Sequence, residues 1–270
     1  MSNNLIVVYE ESSKEHEYKT ISAVPKKHKV NIIKTISPNI LLQPLSTHFN
    51  RLSNLDCRFG NLKSLPDSLS IPTLRVFNCS NNKLSELPKH MNFPNLRFLI
   101  CNDNYIEELP NNLDFPQLML FNCSGNYLTT LPENMNMPVL EQLYFNRNQI
   151  AEFPSYINRF PLLKDLACSA NEIISLPENI NLPLLKRFDC QSNKLSALPV
   201  NINIPMIKQI NISDNCITSI PAYVMTWPNL CEISYDLNPL ELSPQLARFL
   251  GLFSPVSYGW TIPAKRPLNI

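Results

Sequence analysis

The chain has 270 residues, of which 44% are hydrophobic, and its formal net charge is +1 at pH 7. Because the charges nearly cancel, the overall electrostatics give no reason to expect DNA, RNA or an anionic membrane as a partner. No apolar run approaches the roughly 20 residues that a helix needs to cross a bilayer, so we expect no membrane insertion.

The first 29 residues lack the repeating pattern of the rest of the chain, and we predict that residues 1–29 form an N-terminal cap segment. Leu5 to Tyr9 is a short apolar run typical of a strand. It is too short for the apolar core of a signal peptide, and no basic region precedes it. Residues 10–19 are rich in Glu and Lys, so we expect a solvated loop there. The alternative is a short arm that binds a partner.

From Leu52 onward one pattern recurs every 22 or 23 residues. Its consensus is L-x-x-L-x-C-x-x-N-x-L-x-x-L-P-x-x-L/M-x-x-P, with Phe in place of some leucines. Two rows are one residue longer, and the extra residue lies before Pro161 in one and before Pro228 in the other. The asparagine of the consensus recurs in the later rows at Asn148, Asn171, Asn193, Asn215 and Asn238.

A fixed period of this length indicates a solenoid, and the spacing resembles that of leucine-rich repeat proteins. The short Leu-Pro-containing unit is similar to those of intracellular scaffold proteins and bacterial effector proteins. The resemblance covers residues 30–240, which we predict to hold about nine repeats in addition to a degraded first one. It implies an α/β repeat solenoid, a horseshoe with a parallel β-sheet on the concave face and a mostly irregular or extended convex side.

The cysteines follow the repeat. Other rows have Phe145, Ile212 or Tyr235 at the position that cysteine occupies, so this position is apolar. We therefore interpret these cysteines as reduced core thiols rather than disulfide partners or metal ligands. Reduced thiols predict a reducing compartment, which is the cytoplasm, or the host cytoplasm if the protein is translocated. The six cysteines at this position are Cys57, Cys79, Cys101, Cys123, Cys168 and Cys190.

The asparagine and proline positions predict structure rather than chemistry. An asparagine amide can satisfy backbone groups where the chain leaves a strand, so we expect a ladder of structural side chains. Prolines at two fixed places in each row favour an extended or irregular return segment over a long helix.

Residues 241–270 follow the last row, and we predict that they form a C-terminal cap helix and tail. A short helix is predicted here, with Ser243 as the residue before it, Pro244 at its first position and Gly251 beyond its end. The residues that would then cover the end of the core are Leu246, Phe249, Leu250 and Phe253. For the tail from Ser254, docking to a partner is the alternative to capping.

The concave sheet face is the expected recognition surface, because solenoids bind through such surfaces. Apolar residues there are unexpected, since the alternation of strand side chains turns these positions to solvent. Apolar patches with polar rims often mark partner sites. The alternatives are incidental apolar surface and cover by the chain's own tail. The predicted partner-binding residues are Val76, Phe98, Ile100, Leu120, Asn122, Tyr144 and Asn146.

A second feature is a basic edge, formed by the residue after the first leucine of several rows. A solvated rim is one interpretation, and attraction of an acidic partner is the other. The edge consists of Arg75, Arg97, Lys164, Lys186 and Lys208.

Nothing in the pattern indicates catalysis. No histidine is placed to activate a recurring nucleophile, and no metal-ligand spacing or phosphate-binding motif occurs. We predict no enzyme activity, no catalytic, cofactor-binding or metal-binding residues, no cofactor and no small-molecule substrate. An effector ubiquitin ligase with such repeats would carry a catalytic cysteine domain after them, and residues 241–270 contain no cysteine.

The expected function is therefore recognition of another protein on the concave face. The resemblance suggests a bacterial or viral effector acting in a host cell, or a scaffold. The alternative is a targeting or inhibitory subunit of a partner enzyme, such as a ubiquitin ligase or a phosphatase.

Overall fold

The computed structural model describes residues 5–9, 15–18, 30–35 and 50–252. Within these ranges one sheet of twelve strands runs along the molecule, and three two-stranded sheets lie on its other side. The strands of the large sheet are β1 (Leu5–Tyr9), β2 (Glu15–Tyr18), β3 (Val30–Thr35), β4 (Asn54–Asp56), β6 (Val76–Asn78), β8 (Phe98–Ile100), β10 (Leu120–Asn122), β12 (Gln142–Tyr144), β13 (Asp165–Ala167), β15 (Arg187–Asp189), β17 (Gln209–Asn211) and β18 (Glu232–Ser234).

Each row of the repeat contributes one strand to this sheet. From β3 to β18 neighbouring strands are parallel and in register, so that Leu55 pairs with Phe77 and Phe77 with Leu99. The stacked parallel strands confirm the predicted solenoid with a sheet on one face. Each row returns the chain to the same place one strand further along, and the 23-residue rows keep the register, since Gln142 pairs with Asp165.

At the N-terminal end, β1 pairs antiparallel with β3 on one side and with β2 on the other. The strand prediction for Leu5–Tyr9 is confirmed. The prediction of a loop over residues 10–19 is wrong for Glu15–Tyr18, which forms β2. Because β1 pairs with β3 on one side only, the backbone groups on its other edge need partners. The strand β2 supplies these partners, although its residues are largely charged.

The core lies between the large sheet and the return segments. The middle residue of each three-residue strand of the large sheet is buried, and Leu55, Leu99 and Phe121 are fully buried. Ring contacts join neighbouring rows, with centroids 6.4 Å apart between Phe93 and Phe115. The six repeat cysteines are all buried and free, which confirms their interpretation as core thiols.

The asparagine ladder is also present. In Asn104, Oδ1 accepts from the N–H of Leu84 at 3.1 Å, and Nδ2 donates to the carbonyls of Cys79 and Cys101 at 3.1 and 3.0 Å. One amide therefore joins backbone groups of two adjacent rows, as predicted from its place at the end of each strand. The same pattern recurs in Asn82, Asn126, Asn148, Asn171, Asn193, Asn215 and Asn238.

The convex side is extended in the 22-residue rows and helical in the two longer ones. Six short strands pair two by two: β5 (Ser68–Ser70) with β7 (His90–Asn92), β9 (Asn112–Asp114) with β11 (Asn134–Asn136), and β14 (Asn179–Asn181) with β16 (Asn201–Asn203). The longer rows form 3-10 helices at Ile157–Arg159 and Ala222–Thr226. The extra residue is therefore accommodated by a tighter turn.

The predicted C-terminal helix is α1 (Pro244–Leu250). The Oγ of Ser243 accepts from the N–H of Leu246 at 3.3 Å, and Gly251 follows the last turn. Leu246 and Leu250 are buried against the end of the solenoid. Phe253 and the tail from Ser254 lie outside the described residues.

Candidate functional site

The predicted apolar residues lie together on the large sheet. Val76 pairs with Phe98, and Phe98 with Leu120, while Ile100 lies beside Asn122 and Asn122 beside Tyr144. Strands in a sheet lie about 4.8 Å apart, so these side chains form one strip across four strands, from β6 to β12. We call Phe98, Ile100 and Leu120 the concave patch.

The members of the predicted site differ in exposure. Phe98, Ile100, Leu120 and Asn122 are half-buried, and these are the residues that a partner could contact most. The expectation that every predicted residue faces solvent is wrong for Val76, Tyr144 and Asn146, which are 7%, 7% and 6% exposed. Side chains of adjacent strands can cover an outward position, so the alternation along a strand does not by itself determine which of these residues are exposed.

Two of the predicted residues also stabilise the fold. Oδ1 of Asn122 accepts from the backbone N–H of Ser124 at 3.0 Å. Oδ1 of Asn146 accepts from the N–H and the hydroxyl of Ser169 at 2.8 and 3.0 Å.

Burial raises the pKa of Tyr144 to about 12, and the carboxylate of Asp165 adds to the shift. Tyr144 is therefore a neutral phenol at physiological pH.

The concave face changes character after β12. From β6 to β12 the outward positions carry only apolar, amide and hydroxyl side chains. Beyond them, Asp165 accepts from Gln142 at 2.9 Å and pairs with Arg187. Asp189 is 6% exposed, and burial raises the pKa of its carboxyl group, although the N–H of Gln191 partly offsets the shift. The uncharged half and the charged half thus meet at β12 and β13.

The basic edge consists mainly of exposed side chains, with Arg75, Arg97, Lys186 and Lys208 in this class. Lys164 differs, because its ammonium group pairs with Glu141 at 2.8 Å. A pair so close to solvent contributes about 1 kcal/mol at most. Attraction of an acidic partner by this edge stays a prediction.

Sequence reasoning missed a second surface, at the edge where the chain leaves each strand. Phe59, Tyr105 and Tyr127 are exposed there, and the two tyrosine rings stack with their centroids 6.0 Å apart. The available signal was an aromatic residue directly after the ladder asparagine in two successive rows, at Asn104 and Asn126. The later rows have no aromatic residue at this position, which holds Gln149, Glu172, Lys194, Cys216 and Pro239.

The site offers little for catalysis. Burial raises the pKa of Cys79 and Cys123 to about 12 and the pKa of Cys57, Cys101 and Cys168 well above the ordinary thiol range. Such thiols are poor nucleophiles. In the described part of the chain, no cluster of three or more His, Cys, Asp or Glu side chains could hold a metal ion. Its helices are also all too short or too polar to span a membrane.

Comparison with known proteins identifies the repeat. Residues 72–116 match a family model for leucine-rich repeats, in two copies. No curated protein sequence matches the chain. Two solved structures with similar folds come from Listeria monocytogenes. InlP is 23% identical, with a TM-score of 0.58 over 86% of this chain and 61% of its own. The functional domain of InlJ, described as including a cysteine ladder, is 24% identical, with a TM-score of 0.57 over 73% of this chain and 42% of its own.

A third similar structure is YopM from Yersinia enterocolitica. It is 25% identical, with a TM-score of 0.52 over 73% of this chain and 46% of its own. The chain thus spans about half the length of the structures that it matches. These similarities establish the leucine-rich repeat fold, which serves other proteins as an extended surface for interactions.

Proposed function

This chain has the leucine-rich repeat fold, and we propose that it is a non-catalytic recognition module that binds another protein on its concave face. The single observation that carries the proposal is the concave patch. Phe98, Ile100 and Leu120 keep apolar surface in contact with water, on a face whose alternate residues already fill the core. Apolar surface with a polar rim is what a partner can bury with a gain in free energy.

The surroundings of the patch support a protein partner rather than a nucleic acid or an acidic membrane. The outward side chains of β6 to β12 are uncharged, so phosphate groups would find no counter-charge among them. Hydrogen-bonding groups from Asn78, Asn102 and Asn122 border the patch. An apolar centre inside an uncharged polar rim is typical of protein interfaces.

A reducing location, such as the cytoplasm of the producing cell or of a host, is part of the proposal. Eight cysteines are free and six of them are buried in the core. A chain with this many reduced thiols is suited to a compartment that keeps thiols reduced.

The experiment is an affinity purification from native cells with the full-length chain, followed by mass spectrometry. It is repeated with Phe98→Asp and Ile100→Asp. Each variant should weaken capture of a true partner about tenfold or more, because a carboxylate must lose its hydration on entering an apolar interface. Asn112→Asp, on the exposed convex strand β9, is the matched control and should capture the partner normally.

Retention of every partner by both concave variants would refute the proposal. An activity screen of the purified chain tests the non-catalytic part separately, and turnover of any substrate class would overturn that part. Thermal unfolding of each variant distinguishes lost binding from lost folding.

A further inference from the structure

Three exposed aromatic residues define a second surface beside the concave patch. Phe59, Tyr105 and Tyr127 are 64%, 48% and 46% exposed, and they line one open cleft of about 610 Å³. The rings of Tyr105 and Tyr127 are nearly parallel, with an angle of 20° between their planes. We call this the edge cleft; its lining also includes Asn81, Asp103 and Arg147. Large aromatic side chains are usually buried, so this grouping requires an explanation.

Phe59 is unfavourable in two ways. Its φ of 57° lies in the left-handed region, where a bulky side chain is rare. The equivalent position in the next three rows holds Asn81, Asp103 and Gly125, which are residue types that tolerate this conformation. Phe59 also leaves an apolar ring in water. The left-handed conformation recurs at this position in every row, for example at Arg147 and Ala170, so it belongs to the repeat, and the exposed aromatic ring is the feature that distinguishes Phe59.

The charges in the edge cleft cancel. Nη2 of Arg147 lies 2.5 Å from Oδ1 of Asp103, and the other carboxylate oxygen accepts from the amide of Asn102. This carboxylate is already satisfied and offers little to a cationic ligand. The hydroxyls of Tyr105 and Tyr127 make no hydrogen bond to any described residue, so they are available as donors. The cleft therefore matches an uncharged ligand that is rich in hydrogen-bond acceptors.

We propose that the edge cleft binds an uncharged, proline-rich segment of a partner protein in the polyproline II conformation. Such a segment makes no internal hydrogen bonds, so its carbonyls are free to accept from the tyrosine hydroxyls. Its proline rings pack on aromatic side chains, as in other aromatic-lined grooves.

The edge cleft lies on the same rows as the concave patch. Tyr105 follows β8, which carries Phe98 and Ile100, and Tyr127 follows β10, which carries Leu120. The polar outward residues Asn102 and Ser124 lie between the two surfaces along these rows. One partner could cover both, and to that extent the inference rests on the proposed function. Because the two surfaces use different residues, each can be tested alone.

The test is fluorescence anisotropy of the full-length chain with a dye-labelled, end-capped peptide of repeated Pro-Pro-Ala units. The wild-type chain should bind it saturably, and should not bind a peptide of repeated Gly-Ser-Ala units. The double variant Tyr105→Ala/Tyr127→Ala should weaken binding by about tenfold or more, since aromatic anchors dominate such contacts. Gln149→Ala, at the equivalent position one row later, is the matched control and should bind as the wild type does.

Phe98→Asp distinguishes the two proposals. If the edge cleft acts by itself on the peptide, this variant should bind the peptide normally while it loses the native partner. No saturable binding by the wild-type chain, or equal binding by the double variant, would overturn the edge-cleft proposal and leave the concave proposal standing. Protection of Tyr105 and Tyr127 from hydroxyl radicals in the free chain would also overturn it, because another segment or a second copy would then occupy the cleft.

Discussion

The guanidinium of Arg147 reaches across a complete row to the carboxylate of Asp103, although the two residues are 44 positions apart in the sequence. The intervening row has Gly125 at the equivalent position, where φ is 63°. A Cβ there would lie 2.5 Å from Oδ1 of Asp103 and 3.0 Å from Nη2 of Arg147. The ion pair therefore depends on the missing side chain as much as on its two charges.

Gly125→Ala should destabilise the fold by about 1–2 kcal/mol, because the left-handed conformation is unfavourable for alanine. Displacement of the exposed ion pair adds little, since such pairs contribute about 1 kcal/mol at most. Urea unfolding followed by circular dichroism measures the change. Ala170 has the same conformation, with φ 52°. The control Ala170→Gly should therefore leave the free energy of unfolding unchanged or raise it. Equal effects of the two variants would contradict the explanation.

Asn104→Ala should cost several kcal/mol, and far more than a typical surface substitution. The change leaves the N–H of Leu84 without its partner. The carbonyls of Cys79 and Cys101 each lose one of two amide donors, at about 1 kcal/mol per lost hydrogen bond. Each buried polar group that loses its partner costs about 1–3 kcal/mol. The free energy of unfolding measures the loss.

Asn111→Ala is the control for the ladder variant, because Asn111 is an exposed asparagine with no hydrogen bond among the described residues. It should change the stability by less than about 0.5 kcal/mol. If both alanine variants were equally mild, the ladder would be dispensable.

Features that recur in every row were predictable from the sequence. The environment of the cysteine and asparagine positions is the same in each row, so the pattern itself reports it. Exposure on the concave face was not predictable in this way. Val76 and Phe98 share a column, yet Val76 is buried and Phe98 half-buried. The difference arises from the side chains of the neighbouring rows, whose sizes follow no period.

The edge cleft was unpredictable for a related reason. Phe59 and Tyr105 occupy different positions of the repeat, and only the stacked rows place them on the same cleft. The form of the convex side depends on row length, since the 3-10 helices occur in the two longer rows. The dependence on row length is seen in the structure of the return segments. In the two longer rows, the hydroxyls of Tyr156 and Tyr223 donate to the carbonyls of Pro132 and Pro199 in the preceding rows.

Thiol reactivity should divide the cysteines into two classes. A thiol reagent should modify Cys216 and Cys231 quickly in the native chain, because these two are exposed. The other six are buried, and burial raises the pKa of Cys79 to about 12. The buried class should react only on unfolding, since the thiolate is the reactive form.

Counting the released chromophore before and after denaturant measures both classes. A Cys216→Ser/Cys231→Ser variant is the control and should show almost no fast reaction. Fast modification of further thiols in the native state would mean that the cysteine column is not sealed in the core.

Asp189→Asn should stabilise the protein at neutral pH. Burial raises the pKa of Asp189 in the folded state, so the ionised carboxyl is less favourable in the fold than in the unfolded chain. The contribution of this carboxyl group to the stability of the fold is complete below the unfolded pKa of about 3.9, and it is lost as pH rises through the folded pKa. Asparagine carries no charge at any pH and can still accept from the N–H of Gln191, which Asp189 binds at 3.1 Å.

The advantage of Asp189→Asn over the wild-type chain should therefore be largest at pH 7 and should disappear as pH falls towards the unfolded pKa. Chemical unfolding at a series of pH values measures it. Asp236→Asn, an exposed residue of the next outward column, is the control and should show a much smaller difference. A variant that is less stable than the wild-type chain at pH 7 would mean that the ionised carboxylate is stabilised in the fold. The hydrogen bonds of the carboxylate would then outweigh the cost of its burial. The charged half of the concave face would need no partner to stabilise its charges.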